Sequence, residues 1–215
     1  MRIEVLLANE HPVVHAGMHA LLAAADDLAV TGEAADSHGT MDWVRRREWG
    51  LVMLDLCMPG RSGLELIRLI KAERPRVPVL VFSAQREELY AMRAIRAGAL
   101  GYLSLRAGAE TVLGAMRRVA AGRMFVSAEV TELLASHAAE ADDLLPHDRL
   151  TDREYCIFSR IVNGVTLSDI ADELSLSIKT VSTHKSHILE KMTLAGQVEL
   201  VRYAIEHQLL ETVRE

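Results

Sequence analysis

A chain of 215 residues, half of them hydrophobic, is long enough for two small domains, and its formal net charge of -6 excludes indiscriminate nucleic-acid binding while leaving room for a local basic patch. No run approaches the roughly 18 consecutive apolar residues of a membrane span, which predicts a cytoplasmic protein with no targeting segment and no membrane partner. Cys57 and Cys156 lie far apart without CxxC spacing, so the sequence offers neither a disulfide framework nor a zinc site, and both read as small apolar fillers.

Arg2 to Ala8 (RIEVLLA) reads as a buried strand, and Pro12 then opens a helix at its favoured first position. Val13, Val14, Gly17, Met18, Leu21 and Leu22 give that helix an apolar stripe. The alternation repeats through residue 120: strands at Leu28 to Ala34, Leu51 to Asp55, Val77 to Phe82 and Gly101 to Leu103 alternate with helices at Ser37 to Arg47, Leu64 to Glu73, Glu87 to Ala97 and Ala109 to Ala120. Such a pattern predicts an α/β domain built on a doubly wound, five-stranded parallel sheet, with a crevice at the carboxyl ends of its strands.

The most informative stretch is LVMLDLCMPGRSG, Leu51 to Gly63. One carboxylate, Asp55, follows a strand buried on both faces, and Pro59-Gly60 turns the chain toward the next helix. A buried carboxylate costs several kcal/mol unless it is paired, binds a metal or faces a crevice. Asn9 and Glu10 follow the first strand and Ser83 follows the fourth, so these polar groups converge with Asp55 on the crevice. Taken singly, Asn and Ser are ordinary helix caps and Glu an ordinary solvated residue. Together, Glu10 and Asp55 with one backbone carbonyl suit a hard cation such as Mg2+, which takes one or two carboxylates plus water or phosphate oxygens.

Gly122 to Arg149 changes character, with Ala-rich and acidic stretches (ASHAAEADDLLPHD) that predict a short helix at Ser127 to Ser136 and a flexible connection from Ala138 to Asp148. From Leu150 the signals are helical. Thr151 to Glu154 is a capping box, Asn163-Gly164 a helix stop, and Thr166 to Asp169 a second cap ahead of Ile170, Ala171 and Leu174. After the turn Leu174 to Ser177, a helix from Ile178 to Met192 sets Ile178, Val181, Ile188, Leu189 and Met192 on one side and Lys179, Ser182, Thr183 and Ser186 on the other. Short helix, tight turn and longer helix make a helix-turn-helix. A polar stripe alone equally describes a solvated face. Small hydroxyl residues, however, are poor helix formers for a plain surface yet suit a groove floor, and Lys179, Lys185, Lys191, His184 and His187 gather ionisable groups in one element.

Residues 1 to about 120 resemble the receiver domain of two-component response regulators through LLANEHPVVHAG, LVMLDLCMPGRSG, VLVFSA and AGALGYL, in that order. The resemblance makes the sheet flavodoxin-like and implies Asp55 as phosphoacceptor, Glu10 as metal-ligating acid and Cys57 as donor of a backbone carbonyl to Mg2+. It also implies Ser83 as the switch hydroxyl and Tyr102 as the switch aromatic. Two positions depart from the family's pattern: Asn9 stands where an acid is usual, and Leu105 where a Lys is usual. Losing that ammonium removes a charge-assisted bond, and a neutral Asn lowers the site's negative charge by one.

The stretch LTDREYCIFSRIVNGVTLSDIADELSLSIKTVSTHKSHILEKM resembles the LuxR-type helix-turn-helix of NarL/FixJ-type regulators, with Gln197 to His207 similar to the family's dimerising helix. By position, Ser182, Thr183 and Ser186 match base-contacting residues, and Lys179, Thr180 and Lys185 backbone contacts. The expectation is therefore a non-enzymatic response-regulator transcription factor, with a receiver over 1–121, a linker over 122–148 and a small all-α DNA-binding domain over 149–215. It implies double-stranded DNA, a cognate sensor histidine kinase and a second copy of the chain as partners. Leu105 and Asn9 support an alternative, a pseudo-receiver controlled by dimerisation, a partner or a ligand instead of phosphate. An aspartyl-phosphate phosphatase built on Asp55 is disfavoured, because Cys57 stands where such sequences carry a second Asp.

Overall fold

The computed structural model describes residues 2–128, 130–132 and 145–210. The chain divides into two units, Met1–Ala135 and Ser136–Glu215, and each builds its own core.

In the first unit β1 (Ile3–Ala8), β2 (Leu28–Ala34), β3 (Leu51–Leu54), β4 (Val79–Ser83) and β5 (Gly101–Ser104) alternate with α1 (Pro12–Leu22), α2 (Ser37–Arg46), α3 (Gly63–Glu73), α4 (Glu87–Ala97) and α5 (Ala109–Ala120). All neighbouring strands pair in parallel in the order β2-β1-β3-β4-β5. One sheet face packs Val5, Leu7, Leu51 and Met53 against Met18 and Leu22 of α1 and Val112, Met116 and Val119 of α5. Alternate residues Leu6, Val52, Leu54 and Val81 point the other way and are equally buried, which is why β1 and β3 read as continuous apolar runs. Burying each such side chain contributes about 1.5–3 kcal/mol.

The order reverses between β1 and β3, and this is the point at which an open sheet of this kind forms its crevice. Asn9 and Asp55 follow those two strands directly, and the Asp55 amide donates to the Ala8 carbonyl at 2.9 Å. The loop beyond Asp55 is shaped by two glycines. Gly60 has φ +95°, and a Cβ there would lie 2.4 Å from the Ser37 hydroxyl oxygen; a Cβ on Gly63 would lie 2.4 Å from Leu56 Cα. Ser62 caps α3 by accepting from the Glu65 amide.

Several details differ from expectation. β4 starts at Val79 because Pro78 has no amide for the ladder and the Val77 amide is used in a turn to Arg74 O, while Ser83 belongs to the strand. β3 ends at Leu54, so Asp55 is the first residue beyond it. Val13, expected on the apolar stripe of α1, is 77% exposed, because a first-turn side chain leans past the start of its helix. After α5 the chain returns along β5: the Phe125 amide donates to Leu100 O, Phe125 O accepts from the Tyr102 amide, and the Ser127 amide donates to Glu87 Oε1. Ala128 and Val130 to Glu132 are helical, and Val130 is buried. The remainder of the helix expected over 127–136, and the connection over 138–144, lie outside the described residues.

The second unit contains a 3-10 turn (Pro146–Arg149), α6 (Asp152–Val162), α7 (Leu167–Glu173), α8 (Ile178–Met192) and α9 (Gln197–Glu206). Its helix starts follow the caps in the sequence. Thr151 and Glu154 close a capping box on α6, Thr166 accepts from the Asp169 amide on α7, and Ser177 accepts from the Thr180 amide on α8. Between α7 and α8 the turn needs a left-handed residue, Ser175 at φ +53°. Ile157, Phe158 and Ile161 of α6, Ile170 of α7, Val181 and Ile188 of α8, and Leu200 and Ala204 of α9 form the core. Ile178, expected on the apolar side of α8, is largely exposed for the same first-turn reason as Val13.

Candidate functional site: a buried carboxylate pocket and an exposed polar helix

Asp55 is 3% exposed and both of its oxygens are occupied by donors. Oδ1 accepts from the Ser83 hydroxyl at 2.7 Å and the Cys57 amide at 3.2 Å; Oδ2 accepts from the Asn9 side-chain amide at 3.0 Å. Burial raises the Asp55 pKa above the usual carboxylate value, against the opposing pull of the Ser83 hydroxyl, the Cys57 and Leu56 amides and His11. Asn9, 1% exposed, is fixed in turn: its Oδ1 accepts from the His11 amide at 2.8 Å, and its backbone carbonyl meets His15 Nε2 at 2.7 Å.

The other expected pocket residues are arranged around this centre. Ser83 is fully buried. Tyr102 is also fully buried, and its hydroxyl donates to Gln85 O at 3.0 Å, so it faces the β4–α4 loop; burial drives its pKa well above the ordinary phenol value. Cys57 is half-buried, and its sulfur accepts from Gln85 Nε2 at 3.0 Å, so the reading of Cys57 as an apolar filler gives way to a polar contact. Glu10 is not drawn into the pocket: it is exposed, with Oε1 3.7 Å from His11 Nε2. Leu105 packs against the sheet core while its amide donates to Ser83 O. Among the described residues no three His, Cys, Asp or Glu side chains converge as a metal site. His15 was not anticipated. The available signal was its i, i+4 spacing to His19 on α1, where both rings meet Glu33 of β2.

On α8, Lys179, Ser182, Thr183 and Ser186 are exposed along one side. The Thr183 hydroxyl donates to Lys179 O and the Ser186 hydroxyl to Ser182 O, both i−4 bonds that keep the side chains close to the helix. Thr180 and Lys185 are half-buried and partnered, Thr180 Oγ1 with Ser177 Oγ at 2.8 Å and Lys185 Nζ with Gln197 Oε1 at 2.7 Å. Two members of the expected basic cluster serve other ends. Lys191 donates to Glu154 at 2.7 Å, and burial lowers the His184 pKa, aided by Arg153, which disfavours a positive charge on this ring. The exposed stripe is therefore small, hydroxyl-rich and flanked by Lys179, dimensions compatible with a major groove.

Residues 5–117 match the family model described as response regulator receiver domain, and residues 148–204 match that of bacterial regulatory proteins, luxR family. The chain belongs to the LuxR-type response regulators. It is 33% identical to Fimbriae Z protein of Salmonella typhimurium over 96% of this chain and 98% of that protein. Response regulator GacA of Pseudomonas aeruginosa is also 33% identical, over 97% and 98%. Among solved structures, a two-component response regulator of the LuxR family from Aurantimonas is 27% identical, covering 65% of this chain and all of that one at a TM-score of 0.59. RcsB of Salmonella typhimurium shares the fold at a TM-score of 0.69 and 22% identity, over 95% and 98%. Within this LuxR-type response regulator, Leu105 packs against the sheet core and Asn9 donates to Asp55. No helix among the described residues is long and apolar enough to cross a membrane.

Proposed function

We propose that this response regulator is a cytoplasmic transcription factor in which α8 reads double-stranded DNA, a second copy of the chain pairs with it on the duplex, and the receiver governs that pairing. In this reading 1–121 is the receiver, 122–148 the linker and 149–215 the DNA-binding domain. One observation carries it: the exposed hydroxyl stripe of α8, flanked by Lys179, in the longer helix of a helix-turn-helix. Ser182, Thr183 and Ser186 would approach base edges, with Lys179, Thr180 and Lys185 on the phosphates. RcsB, whose fold the chain shares, has been solved bound to promoter DNA.

The group this family implies at Asp55 is Mg2+, with Glu10, Asp55 and the Cys57 carbonyl around it. The donor set here does not fit it. Asp55 Oδ2 faces an N–H of Asn9 in place of a second oxygen, and Glu10 lies out beside His11, whereas Mg2+ demands oxygen ligands in near-octahedral array. That mismatch, together with Leu105 packed against the sheet core, favours control of DNA binding by assembly or a partner over control by phosphate at Asp55.

Selection of binding sites from a random duplex library by the full chain tests the DNA reading. Lys179→Ala should weaken binding to all sequences and reduce the salt slope by about 1, while Thr183→Ala should change preference at particular base pairs. If both variants select and bind like the parent, α8 is not the reading helix.

A further inference from the structure

We infer that Asn9 is a positioning residue that closes the acid pocket to divalent metal and holds Asp55 in place of both the cation and the missing ammonium, an inference that rests on reading the first unit as a receiver.

The geometry leaves Asn9 one useful orientation. Its Oδ1 accepts from the His11 amide, so turning the oxygen toward Asp55 would forfeit that bond and set the NH2 group against another N–H. The amide nitrogen therefore faces Asp55 Oδ2. The backbone of Asn9 is held as firmly: its amide donates to Ala34 O at 3.0 Å, and its carbonyl meets His15 Nε2. Oδ1 of Asp55 already accepts from Ser83 and Cys57, and the Asn9 N–H takes one acceptor position of Oδ2 and sets an N–H where a cation would need an oxygen ligand. Neither neighbour supplies one. Glu10 points to His11, and Leu105 packs on the sheet core. Neutral donors thus satisfy a buried carboxylate whose charge would otherwise demand a cation. The same amide occupies one of the two oxygens from which Asp55 would attack a phosphodonor, so access to metal and access to phosphate are restricted by one side chain.

The test titrates the full-length protein with Mn2+, as a paramagnetic stand-in for Mg2+, and reads bound metal by water-proton relaxation. The parent should show no Asp55-dependent site at millimolar Mn2+. Asn9→Asp puts a second carboxylate beside Asp55 and should bind Mn2+ at least about tenfold more tightly, with the gain lost in the Asn9→Asp, Asp55→Asn double variant. Metal binding by the parent that Asp55→Asn abolishes would overturn the inference, as would a folded Asn9→Asp protein that gains nothing. A second reading is independent of whether the variant folds. In the parent, the Asn9 side-chain amide protons should exchange slowly with water and keep their chemical shifts when Mg2+ is added; rapid exchange, or a shift on adding Mg2+, would equally overturn it. Neither measurement involves DNA, so failure here leaves the DNA-binding reading standing, and failure of the site selection leaves Asn9 untouched.

Discussion

Glu154 shows how a single residue ties two helices of the second unit together. It is buried; its Oε2 accepts from the Thr151 amide at 2.8 Å, the Thr151 hydroxyl at 2.9 Å and Lys191 Nζ at 2.7 Å. Burial pushes its pKa up, but the Lys191 ammonium and the two Thr151 donors outweigh that and hold the carboxyl below its usual value. A depressed carboxylate contributes stability that is present above the unfolded-state value and is lost as pH falls through the folded-state one. Unfolding of this unit, followed by amide exchange in α6 and α8, should therefore become easier with acid, and Glu154→Gln should flatten that dependence. Lys191→Met should cost about 1 kcal/mol at neutral pH, a modest figure because the ammonium is partly solvated. An unchanged acid profile in Glu154→Gln would mean that other carboxylates set it. Residue by residue, converging strand ends made Asp55 and Ser83 legible as a pocket, while Tyr102 came from the resemblance to receiver domains. The sequence could not reveal that Asn9 donates to Asp55, or that Lys191 serves a cap instead of a ligand, since those pairings depend on which strands and helices become neighbours.

At the scale of elements, caps and apolar periodicity located α6, α7 and α8 to within a residue or two, and the family resemblance located α9. Ser177 starts α8 through its hydroxyl, and Ser177→Ala should destabilise this unit by about 1 kcal/mol, measured by thermal unfolding. If stability is unchanged, the cap bond contributes nothing in solution. On α9, Val198 and Ile205 are exposed, and Val198 is the most exposed large apolar residue described at 84%. Val198→Glu should reduce cooperative DNA binding without lowering the melting temperature, by placing a charge on the face proposed to pair with a second copy. Val201 is a poorer probe because it is half-buried, so a change there mixes folding with pairing. Normal cooperativity in Val198→Glu would assign pairing to another surface. Element edges were less legible than element types: a proline without an amide delayed β4, and the first-turn residues Val13 and Ile178 lean away from the layers their periodicity assigned them to.

For the molecule as a whole, two units of different architecture match two family models in the same order, and an acidic chain confines its candidate DNA surface to one helix. Neutral donors from Asn9 and Ser83 reach Asp55, and on the reading proposed above they stand in for a cation and a Lys. Restoring the usual donor should reverse the behaviour. Leu105→Lys combined with Asn9→Asp should accelerate modification by a small phosphodonor, read by intact mass, and an unaltered rate would mean that another feature limits access to Asp55.

The most direct measurement is the affinity of the full-length parent for a duplex selected by that same protein, determined before and after incubation with acetyl phosphate and Mg2+. With the Asn9 amide on Asp55, the affinity should change by less than about threefold, and Asp55→Asn should bind like the untreated parent. A rise of about tenfold or more on phosphorylation, absent in Asp55→Asn, would contradict the account and make Asp55 the ordinary switch of its family.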